Sequence, residues 1–413
     1  MQIYGKFHHL FRMKNKNGVL SLHVKLFEKM ALKILHLLLV ACIYSIAVIY
    51  VLFRMLQIFP GKSRWGKAAC WLSGAMSLFF IFVLFLRLFD LRSWYLPFQT
   101  VAYLWMTFVF YVFIFTLLFT LLRVVITRIR PLHRWLAPRM QTIQRGYALF
   151  TFVLVCGLLV NGMYHFTKPK VVELTLEVYK PVPDWKIVAI SDLHLGTMSV
   201  DLLKHHVDTI NAMKPDVVLL LGDQFVINWR DVTPMGYAAA LRRLRAPKGV
   251  YAIHGNHEEY HDISHSSDIR VKQLFKYMKI TLLNDTALVI DDSLVLAGRA
   301  DTSRIYARKS LGEVVADMPD SLPIVLLDHR PDNMAQAHDY GIDVQLSGHT
   351  HDGQLFPMNL LQGCKSFFTG KLYHGYKNME GTHCYVTAGL GGSGAPIRIG
   401  TTGEIVVIRL KQK

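Results

Sequence analysis

The fold is decided by the stretch VAISDLHLG, residues 188–196. Its apolar start is rich in branched side chains, and a short run of this kind predicts a buried strand. The strand ends on Asp192 and His194, which are two residues apart and can point at one place, a spacing found in metal sites. A turn aspartate beside a surface histidine gives the same pattern and is the more common origin of an isolated pair.

Four more predicted strands end in residues of the same kinds, within an alternation of strands and helices that begins at residue 185. The strands are predicted over 216–221, 249–253, 323–327 and 343–346, and helices over 200–213, 235–244 and 268–279. The residues that follow these strands are Gly222-Asp223, Gly255-Asn256-His257-Glu258, Asp328-His329 and Gly348-His349-Thr350-His351. In layered α/β folds the carboxyl ends of strands gather at one edge, where sites form. We therefore expect these side chains to converge, with the glycines letting the backbone turn sharply.

The expected ligands are carboxylate, amide and imidazole groups, with no thiolate among them. Such a set suits hard or borderline cations and leaves Mn, Fe, Zn, Co and Mg open. The ligands are too many for one ion, whereas two ions about 3.5–4 Å apart, bridged by one carboxylate, would use them all. A two-metal site activates water and clamps a phosphate, and a histidine is the usual proton donor to the leaving oxygen. The pattern therefore predicts two divalent metal ions and phosphate chemistry.

The composition and the charge distribution indicate a membrane protein. The chain has 413 residues, of which 52% are hydrophobic and only 18% charged, and its net charge is +17. Residues 1–165 carry 19 Lys and Arg against two acids, and the remaining residues carry 27 of each sign. The whole excess of positive charge therefore lies between apolar stretches, as is typical of membrane-flanking charge rather than of a groove for phosphate backbones. We expect no nucleic-acid partner.

Four apolar stretches without Asp, Glu, Lys or Arg are long enough to span a bilayer. They cover residues 34–53, 68–86, 101–122 and 147–166. The predicted organisation has four parts. These are a basic N-terminal segment (1–33), a four-helix transmembrane domain (34–166), a linker (167–185) and a globular domain (186–413). Two or three domains are also what the length suggests.

The loops between the spans indicate an orientation. The loop 123–145 carries six Arg and no acid, and the loop 54–67 carries four Lys and Arg, so both are typical of cytoplasmic loops. Both termini then lie outside, and the globular domain is predicted to be extracytoplasmic on a multi-pass protein of the cytoplasmic (plasma) membrane. The N-terminal segment adds six Lys and Arg on the other side, unless translation starts at Met30 instead of Met1. Both starts stay open.

At this point the residues resemble a known family, the calcineurin-like metallophosphoesterases. The resemblance is carried by the motifs Asp192-x-His194, Gly222-Asp223, Gly255-Asn256-His257-Glu258, His329 and Gly348-His349-x-His351, in the family order. It covers residues 186–411. The segment that begins at Gly348 is most similar to the bacterial membrane-associated branch, some members of which hydrolyse the pyrophosphate of UDP-diacylglucosamine.

The resemblance implies a fold and a role for each site residue. The fold is a central β-sandwich flanked by helices, an α/β domain that here follows the helical membrane domain. The first metal would be held by Asp192, His194 and His351, and the second by Asn256, His329 and His349, with Asp223 bridging the two. His257 would bind no metal and would stabilise or protonate the phosphoryl group. The resemblance implies two partners, a phosphorylated substrate and membrane lipid. In the branch members named above, this substrate is lipid-linked.

Several interpretations stay open. The main alternative to a hydrolase is a membrane receptor or scaffold whose phosphoesterase-like domain has lost activity. Gln224-Phe225 follows Asp223 where the family often has another acid, which puts the support of Asp223 in doubt. Asp352 stands where this branch usually has glycine. Glu258 is interpreted as solvated or as supporting a ligand, and His206 as a surface histidine. Cys364 and Cys384 form one disulfide or stay two free thiols.

Overall fold

The structure is a computed structural model. It describes residues 16–58, 63–89, 91–226, 232–233, 235–261, 265–303 and 308–413. The chain divides into two compact units, Met1–Val155 and Cys156–Lys413. Of the basic N-terminal segment, residues 1–15 lie outside the described residues, and residues 16–33 belong to a helix that continues into the first predicted span.

Long helices make up the N-terminal half. They are α1 (Lys16–Ile58), α2 (Arg64–Leu88), α3 (Arg92–Arg128), the short α4 (Arg130–Leu136) and α5 (Met140–Thr167), with a 3₁₀ turn at Ala137–Arg139. Four helical segments in the described part of the chain are long and apolar enough to cross a membrane: Leu37–Ile58, Arg64–Arg87, Trp94–Arg128 and Arg130–Thr167. Each overlaps one of the predicted stretches, and the last three contain theirs completely, so the prediction of four apolar helices is confirmed.

Two six-stranded sheets form the second unit. Their strands are β1 (Lys170–Val178), β2 (Trp185–Ile190), β3 (Val217–Leu220), β4 (Val250–Ala252), β5 (Thr281–Leu282), β6 (Thr286–Ile290), β7 (Leu294–Gly298), β8 (Ile324–Leu327), β9 (Val344–Ser347), β10 (Gly375–Met379), β11 (Thr382–Val386) and β12 (Glu404–Gln412). The strand order is β1-β12-β2-β3-β4-β5 in the first sheet and β10-β11-β9-β8-β7-β6 in the second. The strands at the centre of each sheet are parallel. In the first sheet these are β2, β3 and β4. In the second sheet they are β7, β8, β9 and β11.

Helices connect these strands. They are α6 (Val200–Ala212), α7 (Tyr237–Leu241), α8 (Asn256–His261), α9 (His265–Met278), α10 (Leu311–Val315), α11 (Gln336–Asp339) and α12 (Met358–Thr369), with 3₁₀ turns at Pro331–Asn333 and His351–Gly353. The alternation of strands and helices predicted from residue 185 onward is present. A mixed α/β domain that follows four apolar helices agrees with the predicted fold class.

A shared apolar core holds the two sheets together. Ile187 and Ala189 of β2 pack in one buried cluster with Leu327 of β8 and Leu346 of β9. The alternate residues of β2, Val188 and Ile190, are equally buried on its other face. A strand buried on both faces reads as a continuous apolar run, which is why the sequence shows no alternation there.

One helical histidine corrects the sequence analysis. His206 was interpreted as a surface residue, but it is buried in α6 together with Leu203, Val207 and Ile210. These positions recur at the helical period and share one face of the helix. The interpretation was wrong because it followed the polarity of the histidine side chain and not the position of His206 on the buried face of the helix. Burial lowers the pKa of His206 to about 4, so its imidazole is neutral.

The segment 167–185, predicted as a linker, contains the edge strand β1. This strand pairs in parallel with β12, from Lys170 beside Glu404 to Val178 beside Gln412. Because β12 is antiparallel to β2, the first residues of β1 lie at the sheet edge where β2 ends. Only two residues, 168 and 169, separate the last residue of α5 from β1.

A buried carboxylate fixes this end of β1. Glu404, the first residue of β12, is 1% exposed and accepts hydrogen bonds from Tyr385 (3.1 Å), Thr387 (2.9 Å) and the backbone N–H of Ala388 (3.0 Å). His374 Nε2 lies 2.9 Å and Lys170 Nζ 3.1 Å from its Oε1. Burial by itself would raise the pKa of Glu404, but the hydrogen bond from His374 and the nearby charges outweigh it and lower the pKa to about 2.

We expect Glu404→Gln to destabilise the second unit by about 2–4 kcal/mol. The substitution removes the buried negative charge, and its hydrogen-bond partners stay buried without a carboxylate to accept from them. A carboxyl whose folded pKa lies below its ordinary value stabilises the fold above that value, and the contribution disappears as the pH falls towards 2. The difference in thermal unfolding temperature between the wild type and the variant should therefore be largest near neutral pH and shrink below about pH 4.5. The control is Glu173→Gln, an exposed glutamate on β1, and a shift as large as that of Glu404→Gln would contradict the assignment.

Candidate metal centre

The predicted ligands lie at the carboxyl ends of five strands, three in the first sheet and two in the second. Asp192 and His194 follow β2, Asp223 follows β3, Asn256 and His257 begin α8 after β4, His329 follows β8, and His349 and His351 follow β9. Seven of these eight side chains fall into three groups of neighbouring potential ligands. The eighth, Asn256, is buried and directly precedes His257 in the sequence. The expectation that the strand ends converge therefore agrees with the structure.

Asp192, His194 and His351 form the first group. The Nε2 atoms of the two histidines lie 3.0 Å apart. Asp192 Oδ1 is 3.7 Å from His194 Nε2 and 3.4 Å from His351 Nε2. The other carboxylate oxygen of Asp192 accepts a hydrogen bond of 3.0 Å from the backbone N–H of His349. This bond orients the carboxylate, so that Oδ1 points at the two imidazoles.

Asp223, His329 and His349 form another group. His329 Nδ1 donates to the carbonyl oxygen of Leu221 at 2.7 Å, and this bond directs its Nε2 towards Asp223 Oδ2, 3.3 Å away. The rings of His329 and His349 have their centroids 5.2 Å apart. A backbone acceptor that fixes the tautomer and ring orientation is typical of metal-binding histidines.

Asp223 also reaches the first group, because its Oδ2 is 3.7 Å from His194 Nε2. The carboxylate thus lies between His194 and His329, which belong to different groups. This is the position that a bridging ligand of two metal ions would occupy.

His257 lies beside the same carboxylate. Its backbone N–H donates to Asp223 Oδ1 at 2.8 Å, and its Nε2 is 3.9 Å from Asp223 Oδ2. Its ring centroid is 4.7 Å from that of His194, and its side chain keeps 21% exposure, more than those of His194 and His329. This geometry brings the imidazole next to the ligands with one side open to a substrate. The role that the sequence analysis gave to His257 stays a prediction.

The backbone at the site is strained. Asp192, His194, Asp223, His349 and His351 all have positive φ, between 45° and 72°. Such conformations are unfavourable for residues other than glycine and occur where function requires them. Here they turn side chains of neighbouring strand ends towards each other.

Glycine is required at two of the turns. A Cβ on Gly222 would lie 2.6 Å from His329 Nδ1, and one on Gly348 would lie 2.5 Å from Asp192 Oδ2. Both distances are shorter than a van der Waals contact, so any side chain at these positions would displace a predicted ligand. The close approach that the sequence analysis expected of Gly222 and Gly348 agrees with this packing.

The electrostatics favour positive charge beside Asp223. Burial opposes the ionisation of Asp223, but His329, His257 and His194 outweigh it and hold the pKa of its carboxyl well below the usual range. Burial likewise disfavours the imidazolium of His329, but Asp223 and Asp192 raise its pKa to about 10. By contrast, burial lowers the pKa of His351 to about 3 and leaves a neutral imidazole, the form that binds metal.

The residues fit a pair of divalent cations. Asp192 Oδ1, Asn256 Oδ1 and His329 Nε2 are buried atoms of the predicted ligands, and they have no hydrogen-bond partner among the described residues. An unpaired buried polar atom is costly, and a bound ion is one of the reasons for such atoms to persist. Oxygen and imidazole nitrogen donors without thiolate suit the cations that the sequence analysis left open.

Glu258 supplies the support that the sequence analysis doubted. It is 8% exposed, and its carboxylate accepts hydrogen bonds from the backbone N–H groups of Asp223 (2.9 Å), Phe225 (2.8 Å) and Gly255 (2.7 Å). The turn that carries Asp223 is therefore held from α8, and an acid after Asp223 is not needed for this purpose. Burial and the charge of Asp223 raise the pKa of Glu258 to about 7.

Arg398 is a supporting residue that the sequence analysis missed. Its side chain is fully buried and donates only to backbone carbonyls, those of Ala388 (2.6 Å), Gly389 (3.0 Å), Gly391 (2.6 Å) and His351 (3.2 Å). The glycine-rich loop is thus tied to the backbone of a predicted ligand. An arginine between two isoleucines gives no sign of this role in the sequence.

Arg330 and Asp352 pair with residues other than the predicted ligands. Arg330 pairs with Asp301 (3.0 Å). Asp352, the departure from the family, lies 3.6 Å from His374, which in turn contacts Glu404. Cys364 is exposed and Cys384 is buried, and both are free thiols.

Comparisons with known proteins agree with this geometry. The family model for calcineurin-like phosphoesterases matches residues 186–353. An uncharacterized metallophosphoesterase of Campylobacter jejuni is 31% identical over 247 residues, which cover 59% of this chain and 64% of that protein. The uncharacterized metallophosphoesterase YkuE of Bacillus subtilis is 32% identical over 272 residues, 60% of this chain and 89% of that protein. A zebrafish (Danio rerio) transmembrane protein with metallophosphoesterase domain is 31% identical over 286 residues, 64% of this chain and 62% of that protein.

The chain belongs to the calcineurin-like phosphoesterase family. Its matches span slightly less than two thirds of the Campylobacter and zebrafish proteins. The family resemblance seen in the sequence is therefore confirmed.

We expect Asp223→Asn to abolish turnover, to below about 1% of the wild-type rate, because the neutral amide cannot offset two dications. Metal analysis of the purified protein should show that metal is lost as well. The control is Asp208→Asn, which removes an exposed carboxylate of α6 and should change neither quantity. A full metal content together with normal turnover in Asp223→Asn would overturn the bridging role.

Proposed function

We propose that the protein is a membrane-anchored hydrolase that binds two divalent metal ions and cleaves a phosphoester or pyrophosphate bond. The observation that carries the proposal is the position of Asp223 between two groups of ligands, one with His194 and the other with His329. A single-ion site would need only one of these groups. The alternative, a receptor that has lost activity, is not favoured because every predicted ligand and His257 are present.

Each side chain has a defined part in this function. Asp192, His194 and His351 would hold one ion, and Asn256, His329 and His349 the other, with Asp223 shared. When bound, the ions would polarise a phosphate oxygen and supply hydroxide near neutral pH. The chain itself orients the ligands through the bonds from His329 to Leu221 and from the backbone of His349 to Asp192. Glu258 and Arg398 hold the two turns that carry Asp223 and His351.

His257 is the candidate proton donor to the leaving oxygen. Its Nε2 lies 3.9 Å from Asp223 Oδ2, and its exposed side gives a substrate access to this nitrogen. A general acid has to lie within hydrogen-bond reach of the atom that it protonates, and of the predicted site residues His257 best combines this access with a position against the ligands.

We expect His257→Ala to keep its metal while turnover falls roughly 10²–10⁴-fold, as for a lost general acid. His205→Ala, at an exposed histidine of α6, is the control and should leave turnover unchanged. Parallel loss of metal and of activity in His257→Ala would make His257 a ligand and remove it as the acid.

Two further parts of the proposal concern the membrane. The first is that the four apolar helices anchor the protein in the plasma membrane, with the catalytic domain on the extracytoplasmic side, as the Arg-rich loop 123–145 indicates. The second is that the substrate is a lipid-linked phosphate or pyrophosphate. In support of the second part, the end of α5, the start of β1 and the ligand-bearing end of β2 lie at one edge of the first sheet.

The substrate class is tested with the full-length protein purified in detergent. Rates with Mn²⁺ are measured on a soluble aryl phosphodiester and on lipid-linked substrates such as UDP-diacylglucosamine, with a chelator and Asp223→Asn as controls. We expect metal-dependent hydrolysis and a higher kcat/KM on the lipid-linked substrates. Hydrolysis of the soluble diester alone would refute the lipid-linked part, and no metal-dependent hydrolysis of any substrate would refute the function.

A further inference from the structure

Helix α12 has an unusual environment for a helix of a folded domain. It follows the turn that carries His351 and Asp352, and none of its residues, Met358–Thr369, is buried. Half of the residues in its sequence, MNLLQGCKSFFT, nevertheless have apolar side chains. A surface helix normally buries its apolar stripe against the core. The direction in which α12 turns its two sides therefore needs an explanation.

The polar side of α12 faces the protein. Asn359 Nδ2 donates to the carbonyl oxygen of Gly400 at 3.1 Å, and Gln362 Nε2 donates to that of Thr350 at 3.0 Å. Ser366, one turn further on, is also half-buried and donates to the carbonyl oxygen of Lys371 at 2.7 Å. The spacing of three and four residues places all three side chains on one side of the helix.

The apolar side of α12 faces outward. Leu360 and Leu361 are 55% and 59% exposed, and Phe367 and Phe368 are 84% and 82% exposed. Cys364 is exposed between these two pairs. At about 100° per residue these five side chains lie within roughly a third of the helix circumference, opposite the polar side. In water this arrangement would leave a contiguous apolar stripe, which marks an interaction surface.

The position of α12 in the fold indicates what covers this stripe. Phe356, just before α12, donates its backbone N–H to the carbonyl oxygen of Ile399 at 2.7 Å. The neighbouring residue Arg398 donates its backbone N–H to the carbonyl oxygen of Gly162 at 2.9 Å, in the last turns of α5. A Cβ on Gly162 would overlap Ile397 and Ile399, so this contact is tight. One short segment thus joins the start of α12 to the end of the last apolar helix.

The charges around α12 also point to one partner. Residues 355–378 contain Lys365, Lys371 and Lys377 and no Asp or Glu. Aromatic and aliphatic side chains on one side, flanked by lysines, are typical of helices that lie in a membrane interface and meet anionic headgroups. A two-fold contact of α12 with a second copy of the chain would bring the same lysines towards each other, which is unfavourable.

We propose that α12 lies in the headgroup region of the same bilayer that holds the four apolar helices, with Leu360, Leu361, Phe367 and Phe368 in the acyl-chain boundary. The inference rests on the membrane anchoring in the proposed function. Its consequence is that the turn with His351 is held at the lipid surface, so that a phosphate on a lipid reaches the ligands without leaving the bilayer.

The test uses the native thiol of Cys364 as a probe in the full-length protein. Cys42, Cys70 and Cys156, which lie in the apolar helices, are replaced by Ala, and the buried Cys384 is kept. Cys364 is labelled with an environment-sensitive fluorophore, and the protein is placed in nanodiscs of anionic phospholipid with or without acyl chains that carry a spin-label quencher. The matched control carries Cys364→Ser and Asp320→Cys, because Asp320 precedes β8 at the end of the strand away from His329.

We expect the label on Cys364 to be quenched roughly threefold more strongly than the label on residue 320, because an interfacial helix buries its apolar side about 5–10 Å deep. In the same background, Phe367→Ser with Phe368→Ser should remove most of this difference. Exchange of anionic for neutral lipid should weaken it, because the lysines lose their partners.

Equal quenching at the two positions would overturn the inference. Cross-linking of Cys364 between two chains in unlabelled protein, together with no quenching in labelled protein, would overturn it as well, in favour of an interface between copies. Metal-dependent hydrolysis of a soluble aryl phosphodiester is measured on the same labelled sample. Hydrolysis without quenching refutes only the interfacial helix, whereas quenching without hydrolysis supports the helix and refutes the proposed function.

Discussion

Asp223 is a buried carboxylate that three imidazoles approach, with nitrogen–oxygen distances of 3.7 Å to His194, 3.9 Å to His257 and 3.3 Å to His329. A carboxylate in this environment is stable only when positive charge and hydrogen bonds offset the loss of water. The site is arranged to meet that condition. Its strained turns, its glycines without room for a side chain and its buried histidines all bring cationic or metal-binding groups to one carboxylate.

The supports of the site are as important as the ligands. Glu258 accepts from three backbone N–H groups around Asp223, and Arg398 donates to four carbonyls that include that of His351. Each of these side chains is a buried ionisable group that is satisfied by backbone groups instead of by an opposite charge. This pattern fixes the loops and leaves the charges of the ligands available for cations and substrate.

The end of the last apolar helix and the first sheet belong to the same compact unit, Cys156–Lys413. The end of α5 contacts the segment around Arg398, and β1 begins after two intervening residues and pairs along its whole length with β12. Glu404, the first residue of β12, then ties both sheets to Lys170 and His374. The sheet edge that carries the predicted ligands is therefore held at a defined place relative to the end of α5.

The sequence by itself determined the parts of the protein that depend on local chemistry. The apolar helices follow from length and hydropathy, since a stretch without charges has few other ways to be accommodated. The family and the candidate ligands follow from side-chain types at strand ends, and the structure gathers Asp192, His194, Asp223, His257, His329, His349 and His351 as that pattern indicates.

Only the tertiary structure decided what depends on contacts between distant residues. The pairing of β1 with β12, the burial of Arg398 and the support of Asp223 by Glu258 join parts of the chain that carry no mutual signal in sequence. Helix α12 is the clearest case. Its stripe of Leu360, Leu361, Phe367 and Phe368 is visible as a pattern, but a pattern does not say whether the stripe faces a core or the outside. That choice is made by what the polar side binds, and here the carbonyls of Thr350 and Gly400 bind it.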